Sequence, residues 1–133
     1  MPRCAILALV FALAGAGEPA RAADCDLTKP PTVPQVAGQS YKQARKSILA
    51  AGWKPVQGHP HNDMSANESL FRERGYGELQ FCRITADSPC KFRFVSGNYA
   101  LWVTTAGDEN PALAAEAQVK SAVVACSGDR DPG

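Results

Sequence analysis

Two histidines and an aspartate stand at alternate positions in the stretch "HPHND": His59, His61 and Asp63. Imidazole and carboxylate donors at that spacing can share a zinc or copper ion. A metal held this way is released below about pH 6, as the imidazoles protonate. These are the only two histidines in the chain, and no further donor nearby completes a ligand set. His59, His61 and Asp63 therefore stand as weak metal candidates, and no metal or other cofactor is expected. The common signatures of catalysis are missing too. No serine sits in a G-x-S-x-G turn, no H-E-x-x-H occurs, and there is no phosphate loop or nucleotide fingerprint. The residue types point to a protein that binds rather than one that catalyses.

Cysteine chemistry gives the same direction. Cys4 lies in an N-terminal stretch made of a short basic start, "MPR", an apolar run, "CAILALVFALAGAG", and a small-x-small site at Ala20-Arg21-Ala22. That layout is a secretory signal peptide with cleavage expected after Ala22. The run is shorter than the roughly 20 residues that span a bilayer. Asp24 before Cys25 does not fit a lipid-attachment site, so no membrane insertion is expected once residues 1–22 are removed. The remaining 111 residues keep Cys25, Cys82, Cys90 and Cys126. Four cysteines in an oxidising compartment read as two disulfides with three possible connectivities. Cys82–Cys90 with Cys25–Cys126 is the expected set, because 82 and 90 face each other across a predicted hairpin. No thiol is then left free to act as a nucleophile. The expected location is periplasmic or secreted.

Charge excludes another class. Removing residues 1–22 takes Arg3, Arg21 and Glu18 from the chain's 14 basic and 13 acidic side chains, leaving twelve of each. No net field draws the protein to nucleic acid or to an anionic membrane.

The elements that must position these residues follow from periodicity. Ser40 is an N-cap with Gln43 three residues on. Tyr41, Ala44, Ile48 and Ala51 form one apolar stripe, and Gly52 is the stop, so a helix is expected over 40–51 with a short strand over 53–57. Residues 58–77 read as a loop with a helical turn around 65–73. From 78 to 107 the period becomes two, giving strands at 78–85, 90–96 and 99–105, with "GN" at 97–98 as a tight turn. Residues 108–133 read both ways. A helical turn over 111–117 followed by a strand over 118–125 is the reading carried forward, with 129–133 as a disordered tail. Residues 23–128 then make one small α+β domain, a single N-terminal helix packed on a three- to four-stranded antiparallel sheet.

Setting Ser96 opposite Tyr99 and Cys82 opposite Cys90 fixes two faces. Cys82, Ile84, Cys90, Phe92 and Phe94 share the face that the helix covers. Leu79, Phe81, Arg83, Lys91, Arg93, Trp102 and Thr104 share the other, with Arg93 opposite Trp102 and Leu79 opposite Arg93. A face carrying aromatic rings and three cations suits a sugar or an acidic partner. Phe81, Arg83, Lys91, Arg93 and Trp102 are therefore the candidate ligand-binding residues. The competing expectation is that the C-terminal segment, tied down by Cys126, covers this face as a second core layer.

Residues 33–53, "VPQVAGQSYKQARKSILAAGW", resemble the first half of a PASTA domain, through Val33, Pro34, Gly38, Ser40, Ala44, Ile48 and Gly52. "NYALWVTTAG" is more loosely similar to that family's closing strand. The chain is also similar to small exported bacterial proteins with paired cysteines. The PASTA resemblance implies an envelope location and binding of cell-wall glycan or peptide, or else of an envelope protein. It does not cover the cysteine hairpin at 79–95, and Trp53 stands where that family usually carries an aliphatic residue. A monomeric binding domain is the leading expectation. The alternative is a periplasmic inhibitor or immunity-type protein that blocks a hydrolase through loop 58–77, with Arg72 or Arg74 as the key contact.

Overall fold

The computed structural model describes residues 25–133. The expected signal peptide, residues 1–22, lies outside the described residues. Helix α1 spans Tyr41–Ala50, strand β1 Lys54–Pro55, helix α2 Ala66–Glu73, β2 Leu79–Cys82, β3 Cys90–Ser96, β4 Tyr99–Ala106 and β5 Gln118–Cys126, with a 3-10 turn at Pro111–Leu113. The architecture is α+β, and the antiparallel sheet has five strands rather than three or four. Along the main path the order is β1-β3-β4-β5, and β2 also pairs with β3. Strands β1 and β2 share one edge of β3, β1 beside Phe94 and Val95 and β2 beside Cys90 to Phe92.

Local chemistry explains each element. The Ser40 hydroxyl accepts the Gln43 N–H at the start of α1, and Gly52 follows the helix with φ +93°, a conformation that a Cβ disfavours. Helix α2 repeats the device, with Ser65 accepting from Glu68 N at 3.1 Å. The tail turn is shorter than expected. Asn110 caps it through Ala112 N, but Ala114 adopts φ 50° and ends it after Leu113, before the chain enters β5.

The β3–β4 register places Phe92 opposite Val103, Phe94 opposite Leu101, Arg93 opposite Trp102 and Ser96 opposite Tyr99, as the alternation predicts. Directly opposed residues share a face. The inner face carries Leu79, Cys90, Phe92, Phe94, Leu101, Val103 and Val119, and both helices cover it with Tyr41, Ala44, Ile48 and Phe71. The tightest joint is aromatic. Tyr41 from α1 stacks on Phe92 at 3.8 Å between centroids, and Phe71 from α2 meets the same ring edge-on at 4.9 Å. One phenylalanine of the central strand thus anchors two helices.

Two expected positions are corrected. Leu79 pairs with Phe92 rather than Arg93, because the β2–β3 register shifts between Leu79 and Phe81. The irregularity turns Leu79 into the core, where it is fully buried. Ile84 was expected on the core face but is 82% exposed. Strand β2 ends at Cys82, and Ile84 sits in the loop closed by the Cys82–Cys90 disulfide.

Both expected disulfides form, Cys82–Cys90 and Cys25–Cys126. The loop-entropy account gives about 2.6 kcal/mol for the short closure and about 4.7 kcal/mol for the one that ties residue 25 to residue 126. No helix among the described residues is long and apolar enough to cross a membrane.

Close packing between the 58–77 segment and β2 gives a direct test. A Cβ at Gly58 would stand 1.8 Å from the Leu79 carbonyl oxygen, whereas one at Gly38 would meet nothing within 4 Å and only oppose its φ of +82°. Gly58→Ala is expected to lower stability by about 3 kcal/mol, at the upper end of overpacking costs. Gly38→Ala should cost about 1 kcal/mol. Equal urea midpoints for the two variants would contradict this packing.

Candidate functional site

The outer face of the sheet carries Phe81, Lys91, Arg93, Val95, Ala100, Trp102 and Thr104, so the register brings four of the five predicted ligand residues together. Arg83, the fifth, lies just beyond β2 in an exposed position. Phe81, Arg83 and Lys91 join Pro89, Thr104 and Gly133 around a cavity of about 200 Å³. Arg93 and Trp102 do not line it. They make their own pair, with the guanidinium carbon 5.6 Å from the indole centroid. Trp102 is only 9% exposed, too covered to serve as a platform.

Val95, Ala100 and Ala125 pack against Trp102, and the C-terminal segment lies on the cations beside it. After β5 the backbone turns at Cys126, where Asp129 N donates to its carbonyl. It then runs back across the outer face. Arg93 donates to the Ser127 carbonyl at 2.6 Å, and Lys91 Nζ donates to Asp131 Oδ1 at 3.0 Å and to the Gly133 carbonyl. The segment expected as a disordered tail is therefore placed against Lys91, and Lys91 is 7% exposed as a result of its setting. In place of the expected second core layer, residues 127–133 lie here as a polar strap and join no apolar cluster; the apolar packing at Trp102 comes from Val95, Ala100 and Ala125, and β5 itself lies beside β4 in the sheet. Charge attraction explains why this segment lies here, since "SGDRDPG" offers carboxylates and carbonyls to two cations at i and i+2 of one strand. Two donors on this face stay unanswered: Trp102 Nε1 and Arg93 Nε are buried without hydrogen-bond partners.

The opposite side of the molecule is occupied by buried carboxylates, which periodicity did not reveal. Glu68, Glu78 and Glu109 are 0–2% exposed. Glu78 accepts from the Tyr41 hydroxyl and from Arg45 Nε, both at 2.6 Å. Glu68 accepts from Arg72 at 3.2 Å and from the Cys82 N–H at 3.2 Å. Glu109 accepts from Ala117 N at 2.9 Å. Arg74 Nε lies 3.0 Å from Glu109 as an ion pair without hydrogen-bond alignment. Asn67 completes the set, receiving Glu109 N on its carbonyl oxygen and donating to the Ser88 and Gly107 carbonyls. Two signals in the sequence mark part of this network: the S-x-x-E spacing of Ser65 and Glu68, and the i, i+4 pair Glu68–Arg72.

The histidine loop joins the network. His61 Nε2 is 3.2 Å from Glu68, and His59 offers only its carbonyl, to Arg72. Asp63 is exposed and apart from both contacts. Among the described residues no group of three or more His, Cys, Asp or Glu side chains is placed to hold a metal ion.

Compared with known protein families, with curated proteins and with solved structures, the chain matches none.

Burial of the Tyr41 phenol, with the Glu78 carboxylate beside it, pushes its pKa well above the ordinary 10.0. The same carboxylate, through its hydrogen bond, raises the Arg45 guanidinium. For Tyr41 the protonated form is the one the fold favours. Its contribution to stability is complete below pH 10 and is lost as pH rises toward the folded-state value. In that window the loss approaches about 1.4 kcal/mol per pH unit. Urea unfolding of wild type and Tyr41→Phe between pH 9 and 11 should show this extra slope in the wild type alone. Parallel profiles would contradict the placement of the phenol.

Proposed function

We propose that this chain is an exported, non-catalytic binding domain of the bacterial cell envelope, which takes a cell-wall fragment or an envelope protein on the outer face of its sheet. The observation that carries the reading is the cavity of about 200 Å³ at Phe81, Arg83, Lys91 and Thr104. It combines an aromatic wall with a nearly buried ammonium and an exposed guanidinium, a pairing suited to an anionic group carried on an apolar stem. Ligand recognition is assigned to Lys91, Arg83 and Phe81, while Arg93 holds the covering segment through the Ser127 carbonyl.

Export is supported by the two disulfides, which belong to an oxidising compartment. The PASTA-like stretch at 33–53 supports an envelope setting. It folds as α1, a wall of the core, and contributes no side chain to the cavity. The inhibitor reading gains less support. Arg72 is engaged by Glu68 and by the His59 and Leu79 carbonyls, and Arg74 by Glu109, so neither guanidinium is presented to a partner.

The test is co-sedimentation of the purified oxidised protein with isolated sacculi, run beside cross-linking to an envelope membrane fraction. Lys91→Gln and Arg83→Ala are expected to reduce retention on whichever material binds by about tenfold or more, with unchanged circular dichroism. Retention that both variants keep in full would remove the function from this face.

A further inference from the structure

The segment that covers the outer face is itself a peptide bound in a defined way. Its Ser127 carbonyl takes the Arg93 guanidinium at 2.6 Å, and four residues on its Asp131 carboxylate takes Lys91 Nζ at 3.0 Å. With the segment in place the Lys91 side chain is 8% exposed, and Asp131 is its ion-pair partner. Trp102 Nε1 and Arg93 Nε add buried donors that no acceptor meets. The cavity beside them, at about 200 Å³, is smaller than the roughly 300–1,000 Å³ of small-molecule sites. Gly133 of the covering segment is part of its wall, so at this size the cavity admits one side chain while the segment is in place.

We infer that this face is a recognition site for an acidic peptide segment of a partner protein, and that residues 127–133 are its intramolecular occupant, displaced when the partner binds. This rests on the choice of the outer face above and narrows the ligand to a peptide. The recognised pattern is a backbone carbonyl for Arg93 followed, four residues later, by a carboxylate for Lys91, with an adjacent side chain entering between Phe81, Pro89 and Thr104. Competition sets the affinity. While Asp131 holds Lys91, an incoming segment must displace it, so a partner binds the full chain more weakly than it binds a chain whose own carboxylate is gone. That is the population-shift cost of an occupied site.

The test uses the full oxidised chain and a labelled synthetic peptide, Ser-Gly-Asp-Arg-Asp-Pro-Gly, read by fluorescence anisotropy. Asp131→Asn in the protein is expected to tighten peptide binding by on the order of tenfold over wild type. Lys91→Gln, placed in the Asp131→Asn background, is expected to abolish it. A control peptide with Asn in place of its second Asp should bind none of the forms. Equal affinity of wild type and Asp131→Asn would overturn the occupant role. Binding of the Asn control as tight as that of the acidic peptide, or no binding to Asp131→Asn, would overturn the ligand class. Folding is checked separately by thermal melts, since Lys91 is nearly buried. The peptide test does not depend on envelope material. Lys91-dependent retention on sacculi without peptide binding would sink this inference and leave the broader reading standing.

Discussion

A carboxylate taken out of water must be answered by a cation or by N–H donors, and this small fold buries three of them. Glu78 lies just ahead of β2 and is held by Tyr41 and Arg45 of α1. Glu68 lies in α2 and is held by its own Arg72 and by the backbone of β2 at Cys82. Glu109 follows β4 and is held by Arg74, beyond α2, and by Ala117 N, ahead of β5. Each pair joins segments that apolar contact alone would leave free to slide. Breaking a buried pair from one side costs about 3–5 kcal/mol, while the intact pair adds little over well-packed apolar groups. The network is therefore better understood as fixing where α2 sits than as a store of stability. Its position in turn sets the 58–77 segment against β2 and brings Phe71 onto Phe92.

That constraint sets two groups of cations apart. Arg45, Arg72 and Arg74 are committed to buried glutamates on the helical side. Arg83, Lys91 and Arg93 are on or beside the outer face, where two carbonyls and one aspartate of residues 127–133 meet Lys91 and Arg93. A partner can compete for the second population far more readily than for the first. Displacing residues 127–133 leaves the aromatic core and the glutamate network in place, whereas drawing on Arg72 or Arg74 would expose a charge inside the fold. The proposed function follows from this asymmetry.

Much of this was legible in the sequence. Strict alternation from Cys90 to Thr105 fixes the β3–β4 register and with it the Arg93–Trp102 contact, and the hairpin that sets 82 across from 90 gives the Cys82–Cys90 pairing. The cap, stripe and stop of 40–51 mark α1 because each signal acts locally. What was not legible depends on contacts distant in the chain. Glu68, Glu78 and Glu109 look like surface residues, since their partners lie between 4 and 37 positions away and only the Arg72 pair falls at helical spacing. A single shift between Leu79 and Phe81 moves Leu79 from one face to the other, and no local pattern announces it. The sequence "SGDRDPG" has the composition of a free tail, and only the cations waiting on β3 give it a place.

The central claim is that binding belongs to the outer sheet face and not to the helical side. The most direct measurement is amide chemical-shift mapping of the ¹⁵N-labelled oxidised protein, titrated with soluble extracts of digested sacculi and envelope protein. The account predicts shifts clustered at residues 81–91, 102–104 and 127–133. Shifts confined to residues 58–77, or none anywhere, would contradict it.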